Sequence, residues 1–267
     1  MTDKQQVFIE AKDLCKSFFI KDGIVPVLRN INISINSGDF VIIFGPSGCG
    51  KSTLLHSLLG LEAPTSGTIS FEGKDFYAMT DDERAVYRRH RVGIIYQQPL
   101  WVSSLNVIEN VSFSLHLLDY HPAMIEEKAM QILASVGMEK WASYRPSELS
   151  SGQQQKISLA RSMIIDPVLI VADEPTGNLD TVSGQELIET FLKLNTQGRN
   201  IIMVTHDLEY LRYASKIIHM IDGEVVEVYN PKHRKDINIK GKRGTGTSEG
   251  TGEANVRDRE FLKKLQL

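Results

Sequence analysis

The spacing of apolar residues changes along the chain between the period of a strand and that of a helix. Residues 7–14 and 31–35 alternate apolar and polar side chains, which is typical of half-buried strands. Uninterrupted apolar runs, which indicate strands buried on both faces of a parallel sheet, cover residues 40–44, 92–96, 168–172 and 201–204. Helical patterns cover residues 54–59, 81–89, 107–136 with a break at Pro122, 152–164 and 182–195.

This order of elements predicts an α/β fold that begins with an antiparallel sheet. Residues 98–160 carry mostly helical patterns, so we expect a helical lobe inserted into the α/β core. Residues 216–228 have the pattern of a hairpin around Asp222-Gly223. We therefore expect the folded domain to cover residues 1–229.

The composition changes after Asn230. The next 24 or so residues are rich in Lys, Arg, Gly, Thr and Ser and contain few apolar side chains. Such a segment buries too little apolar surface to offset the entropy of ordering it, so residues 230–267 are predicted to be a disordered tail. Apolar residues at its end favour a short terminal helix; the alternative is a solvated tail without function.

Composition and charge exclude several classes of protein. The 267-residue chain has a formal net charge of −3, which gives no sign of a nucleic-acid-binding surface at the level of the whole chain. No apolar run approaches the roughly 18 residues of a membrane span, and the N-terminus lacks the apolar region of a signal peptide. We therefore expect a cytosolic protein that reaches a membrane only through a partner.

A glycine-rich turn joins the apolar run at residues 40–44 to a helical pattern. Its residues fit G-x-x-x-x-G-K-S in that context, and are Gly45, Pro46, Ser47, Gly48, Cys49, Gly50, Lys51, Ser52 and Thr53. Backbone N–H groups of such a turn and the positive end of the helix dipole surround phosphate oxygens. Lys51 is expected to reach the β- and γ-phosphates of a nucleotide, and Ser52 to bind the Mg²⁺ that bridges them. Cys49 has two interpretations, a tolerated small residue or a redox switch.

Polar residues at the ends of other predicted strands suit the same chemistry. Asp173 follows a buried run and is expected to bind Mg²⁺, while the adjacent Glu174 is expected to activate the attacking water as general base. Gln97 and His206 each follow another predicted strand. We expect Gln97 to contact Mg²⁺ or the attacking water and His206 to hydrogen-bond a γ-phosphate oxygen, although each residue taken singly has a structural alternative.

A further motif points to a known family. Leu149-Ser150-Ser151-Gly152-Gln153 resembles the signature of ATP-binding cassette (ABC) ATPases, whose usual form is L-S-G-G-Q. With the glycine-rich turn, Gln97, Asp173-Glu174, Asn178-Leu179-Asp180 and His206, it gives the family's motifs in their usual order over about residues 7–228. The sequence segments around these motifs are similar to those of one branch of the family, which includes macrolide exporters, lipoprotein-release systems and the cell-division ATPase. The resemblance implies an α/β P-loop NTPase with a RecA-like core and parallel sheet, an N-terminal antiparallel β-subdomain and an inserted helical lobe.

The resemblance also implies roles for residues and partners. Phe18 matches the aromatic residue that stacks on adenine. Asp180 is expected at an interface with a second cassette, most simply in a homodimer, and the signature is expected to contact ATP bound to that cassette through Ser150, Ser151, Gly152 and Gln153. Two Mg-ATP would be enclosed between the cassettes. A groove near Gln97 would receive an integral membrane permease, so hydrolysis would act at the cytoplasmic face of the membrane, and the tail could contact lipid or the permease.

The chain departs from the family pattern at two positions. Ser151 replaces the usual second glycine of the signature, and its Cβ restricts the backbone and crowds the neighbouring phosphate. The alternative is a benign change, since serine is a good N-cap residue. Lys156 stands where relatives often carry arginine, so a bidentate contact would be lost if that arginine makes one.

Two other functions stay open on the sequence alone. One is a soluble ABC ATPase that acts on nucleic acid or ribosomes, although the chain has one phosphate loop and no sustained heptads between Lys51 and Leu149. The other is a cassette that binds ATP with little turnover and only regulates a partner, which the altered signature would allow.

Overall fold

The computed structural model of the chain describes residues 6–21 and 23–231. The predicted disorder, terminal helix and lipid contact of the tail fall on residues beyond 231 and therefore lie outside the described residues. The chain divides into two compact units. The first consists of the described residues of Met1–Ala78 and Val204–Leu267, and the second is Met79–Met203. Within residues 6–21 and 23–231, no helix combines the length and the apolar character that crossing a membrane requires.

The first unit contains an antiparallel sheet of β1 (Val7–Ile20), β2 (Gly23–Asn36), β4 (Ser66–Phe71) and β5 (Lys74–Asp75). The order of the strands in the sheet is β2-β1-β4-β5. Both long strands extend well beyond the predicted segments. Register shifts interrupt their pairing after Ala11 and Leu14, so the alternation of apolar residues stops at Leu14 while the pairing continues to Ile20.

The same unit holds the strand that leads into the glycine-rich turn. β3 (Phe40–Phe44) is fully buried and runs parallel to β9 (Lys216–Ile221), which forms a hairpin with β10 (Glu224–Tyr229). A buried ion pair joins the chain at the starts of β3 and β9, since Lys216 Nζ lies 3.1 Å from Asp39 Oδ2. Helix α1 (Lys51–Leu58) follows the turn.

The second unit alternates helices with parallel strands. Strands β6 (Val92–Tyr96) and β7 (Leu169–Asp173) pair in parallel, and β8 (Asn200–Thr205), which begins in this unit, is the other neighbour of β7. The helices are α2 (Asp81–Arg91), α3 (Val107–His116), α4 (Pro122–Ser135), α5 (Ser151–Met163) and α6 (Thr181–Thr196). Short 3-10 helices occupy Glu139–Trp141 and Pro146–Glu148 here, and Leu208–Tyr213 in the first unit.

The helical lobe forms around one apolar cluster. Most of its buried members come from α3, α4 and α5 and include Val107, Leu115, Ala129, Leu133 and Ile157. The predicted break at Pro122 is the first residue of α4, where proline loses no helical hydrogen bond. The α/β fold with parallel strands, an antiparallel N-terminal sheet and a helical lobe is confirmed, whereas the domain boundary at residue 229 stays a prediction.

Candidate functional site

The glycine-rich turn packs closely against the β9–β10 hairpin of its own unit. A Cβ placed on Gly45 would lie 2.1 Å from the carbonyl oxygen of Met220 and 2.9 Å from Cys49 Sγ, so this position requires glycine. The Cys49 carbonyl accepts a hydrogen bond of 3.0 Å from the Gly223 N–H in the β9–β10 hairpin. The hairpin therefore fixes one side of the loop, while Ser47 and Gly48 are exposed.

Lys51 and the start of α1 form the binding groups of this loop. Lys51 is only 7% exposed, and its Nζ donates to the carbonyl oxygens of Gly45 (2.8 Å) and Pro46 (2.9 Å). The N-cap is Gly50, which has no side chain to cover the first N–H groups of the helix. Ser52 is exposed in the first turn. A cation, helix N–H groups without a side-chain cap and the helix dipole are the features with which proteins bind phosphate.

Cys49 is buried beneath the same loop. Burial raises the pKa of the Cys49 thiol above its ordinary value, and the positive charge of Lys51 opposes the shift without cancelling it. The thiol form is therefore favoured at neutral pH. Because the thiolate is the reactive form, this environment favours the tolerated-residue interpretation over the redox switch.

Phe18 lies near the end of β1 with its ring half-buried. Lys16 Nζ lies 4.8 Å from the ring centroid and donates to the Ala63 carbonyl at 2.7 Å, so an ordered cation lies over the ring of Phe18. The neighbouring Phe19 is 78% exposed. Only one of the two phenylalanines therefore has an ordered ring environment suited to stacking.

His206 is exposed directly after β8. The chain on its C-terminal side is fixed, because the Asp207 N–H donates to Thr205 Oγ1 at 3.0 Å and Asp207 Oδ1 caps the following 3-10 helix. The backbone next to the His206 imidazole is therefore fixed by hydrogen bonds.

In the second unit, Gln97 and the acidic pair come to the same end of two parallel strands. Tyr96 is the register partner of Asp173, so Gln97 and Glu174 are the next residues along β6 and β7. A Cβ on Gly177 would lie 2.6 Å from Gln97 Nε2, which shows how closely the segment after Glu174 approaches Gln97. The structure therefore brings these three predicted residues together at one strand edge.

Glu174 has an uncommon backbone conformation. Its φ of 47° lies in the left-handed region, and its carbonyl accepts a hydrogen bond of 3.1 Å from the Gly177 N–H. This conformation costs a residue with a Cβ about 1–2 kcal/mol. Such strain concentrates at functional sites, where the surroundings hold a side chain in a required direction.

The signature occupies the start of α5. Ser150 is the N-cap: its Oγ accepts from the Gln153 N–H at 3.3 Å, and Gln153 Oε1 accepts from the Ser150 N–H at 3.0 Å. The suggestion that Ser151 is the cap is wrong. The cap is Ser150, whose backbone is extended as an N-cap requires. Ser151 is the first helical residue, and it is exposed.

Residues that follow the signature bond to the segment around Gln97. The side chain of Gln155 is buried and donates to the Tyr96 carbonyl at 3.1 Å, and Gln154 accepts from Trp101 Nε1 at 2.8 Å. A cavity of about 300 Å³ is lined by Gln97, Gln98, Pro99, Ser151, Gln154, Gln155, Asn178 and Leu179. Sequence reasoning missed the two glutamines, for which the run of three glutamines after Gly152 was the available signal.

Asp180 is the N-cap of α6. Its Oδ1 accepts from the N–H groups of Val182 and Ser183, both at 3.0 Å, and its Oδ2 accepts from Ser183 Oγ at 2.7 Å. The hydrogen bonds from the backbone and hydroxyl of Ser183 lower the pKa of the Asp180 carboxyl below its ordinary value. Sequence reasoning also missed Ser183, whose backbone N–H and hydroxyl both bond this carboxylate.

Comparisons with known proteins agree with these features. A family model described as ABC transporter matches residues 28–177. An uncharacterised ABC transporter ATP-binding protein of Methanocaldococcus jannaschii is 42% identical over 222 residues, which cover 83% of this chain and 99% of that protein. A macrolide export ATP-binding/permease protein of Bdellovibrio bacteriovorus is 41% identical over 217 residues, which cover 81% of this chain but 33% of that protein.

A solved structure agrees with the fold as well. The dimeric structure of an ATP-binding cassette in a post-hydrolysis state, bound to ADP and Pi, is similar with a TM-score of 0.78 and 33% sequence identity. The match covers 83% of this chain and 98% of that one. The chain therefore belongs to the ABC transporter family and is an ATP-hydrolysing subunit of an ABC transporter, as the sequence predicted.

Proposed function

We propose that this chain works as one of two paired cassettes that enclose Mg-ATP and drive a membrane permease from the cytoplasmic face. The observation that carries the proposal is the Lys51 ammonium, ordered on the loop at residues 45–53 beside a helix start that no side chain caps. The dimer of a similar cassette with ADP and Pi supports the pairing. The permease named with the macrolide export relative supports the membrane partner.

The residues on this chain suit separate parts of the reaction. Lys51 and the loop N–H groups bind the phosphates, Glu174 accepts the proton of the attacking water, and His206 donates to a γ-phosphate oxygen. Phe18 stacks on the adenine base. Asp180 and the signature meet the second cassette.

The chain also offers ligands for Mg²⁺. Ser52, Gln97 and Asp173 supply a hydroxyl, an amide oxygen and a carboxylate, which are the hard oxygen donors that Mg²⁺ prefers. Within the described residues there is no group of three or more His, Cys, Asp or Glu side chains that would suit another metal. When bound, Mg²⁺ offsets the negative charge of the β- and γ-phosphates.

The permease contact was expected near Gln97; we place it instead at a groove of the second unit that Gln97 does not line. It has a volume of about 430 Å³ and is lined partly by the exposed apolar residues Val102, Phe113 and Leu117. Arg88 and Arg89 of α2 also line it. An apolar segment of the permease that carries acidic residues would complement this surface.

Replacing Glu174 tests the catalytic part of the proposal. We expect Glu174→Gln to lower ATP turnover at least about 100-fold, because removal of a general base costs that much or more, and to let an ATP-bound dimer accumulate. Glu189→Gln, an exposed change on α6, is the control and should retain turnover. Wild-type-like hydrolysis by Glu174→Gln would refute the general-base role.

Dependence on pairing is a separate measurement. If two cassettes complete each site, turnover per chain rises with protein concentration until the dimer is saturated. A form that sediments only as a monomer and hydrolyses ATP at the full rate would refute the paired site.

A further inference from the structure

The starts of α5 and α6 approach each other closely at Gly152 and Ser183. A Cβ placed on Gly152 would lie 2.9 Å from Ser183 Oγ and 3.3 Å from Ser183 Cβ, so the hydroxyl occupies space that any other residue at position 152 would need. Further along the two helices, Lys156 Nζ lies 2.8 Å from Glu186 Oε2. Packing at the first turn and an ion pair beyond it therefore hold the two helix starts together.

The same serine holds both carboxylate oxygens of Asp180. Its N–H donates to Oδ1 at 3.0 Å and its hydroxyl to Oδ2 at 2.7 Å. The hydroxyl is the only donor to Oδ2 among the hydrogen bonds found for Asp180 in the described part of the chain. The hydroxyl therefore fixes the second oxygen of a carboxylate whose first oxygen is held by two backbone N–H groups.

We propose that Ser183 is a positioning residue that couples the Asp180 carboxylate to the signature. The inference rests on the proposed function, in which Asp180 and the signature both meet a second cassette. Because one hydroxyl lies against Gly152 and is bonded to Asp180, α6 cannot shift along α5 without moving the carboxylate relative to the signature. The two groups are therefore presented to the partner cassette in one fixed geometry, which favours the catalytic step rather than the initial binding of ATP.

Removing the hydroxyl gives a direct test. In the full-length protein, we expect Ser183→Ala to lower turnover at saturating ATP about five- to tenfold while the KM for ATP changes less than about twofold. Ser183→Thr restores a hydroxyl and should recover at least about half of the lost turnover. Thr190→Ala removes a hydroxyl from the same helix that bonds only the Glu186 carbonyl among the described residues, and should behave like the parent.

Other readouts separate positioning from folding. The Ser183→Ala protein should still bind ATP with parental affinity, since the Lys51 loop belongs to the other unit. Its dimerisation with ATP, measured by sedimentation in a Glu174→Gln background, should weaken about fivefold. Turnover and dimerisation within twofold of the parent, a loss confined to KM, or a Ser183→Thr protein no better than Ser183→Ala would each overturn the inference.

The outcome is distinguishable from failure of the proposed function. A parent protein without Glu174-dependent turnover would refute the proposed function, and the dimerisation measurement would then still decide whether Ser183 positions the interface groups. A parent with such turnover that is insensitive to Ser183→Ala would refute the coupling alone.

Discussion

The ammonium group of Lys51 lies 2.8 Å from the carbonyl oxygen of Gly45, so the loop's cation is bound by the loop itself. A second hydrogen bond of 2.9 Å to the Pro46 carbonyl fixes the same group. A free lysine side chain loses considerable rotamer entropy when it is immobilised. Here the side chain is already ordered and needs only to exchange carbonyl acceptors for phosphate oxygens, so little of that entropy opposes nucleotide binding.

Replacing Lys51 should therefore weaken ATP binding strongly. Hydrogen bonds to charged groups contribute about 1.5–3 kcal/mol each, so Lys51→Met is expected to raise the Kd for ATP about 10- to 100-fold in a calorimetric titration. Lys193→Met removes an exposed lysine from α6 and should leave the Kd unchanged. A Kd for Lys51→Met within threefold of the parent would contradict the assigned role.

Two adjacent phenylalanines offer a matched test of adenine stacking. Phe18→Ala is expected to raise the Kd for ATP about fivefold, since one aromatic stacking contact contributes about 1 kcal/mol. Phe18→Tyr should retain the parental Kd. Phe19→Ala is the control, because Phe19 is 78% exposed and its ring is not placed beside the Lys16 cation. Equal effects of the two alanine substitutions would argue against stacking on Phe18.

Local patterns predicted most of the fold. Fully apolar runs such as Phe40–Phe44 predicted buried strands, and the helical pattern at residues 81–89 predicted α2, whose start the structure caps with Thr80 and Glu83. The second half of β1 and the first half of β2, which pair with each other, were missed because shifts of register break the two-residue period there. Periodicity thus reports elements only where pairing is regular.

The candidate site divides in the same way. The Lys51 loop and the Asp173-Glu174 pair were predicted, because their chemistry depends on residues adjacent in sequence. Ser183 was missed because its position depends on how α5 packs on α6, which no local pattern records. The alternative in which Ser151 caps the helix was wrong by one residue, since either serine could cap the helix and the backbone alone decides between them.

The buried thiol of Cys49 should make stability depend on alkaline pH. Its pKa is raised in the folded protein, so its contribution to the free energy of unfolding is present below the unfolded pKa of about 8.5 and is lost as pH rises through the folded value. Urea unfolding near pH 7.5 and near pH 9.5 measures this loss. We expect the loss to be smaller in Cys49→Ala than in the parent. An identical pH dependence in both proteins would show that the thiol does not contribute.

The groove between α2, α3 and α5 should govern attachment to membranes. Leu117 lines this groove and is 55% exposed, and burying a leucine side chain stabilises a complex by about 1.5–3 kcal/mol. Leu117→Asp removes that apolar contact and is expected to lower the fraction of the chain that sediments with native membranes about tenfold or more, with an unchanged Kd for ATP. Met124→Asp is the matched control: Met124 is 48% exposed on α4 and does not line the groove, so its membrane fraction should equal that of the parent. Equal losses in both variants would indicate damage to the helical lobe, and no loss in Leu117→Asp would place the permease contact elsewhere.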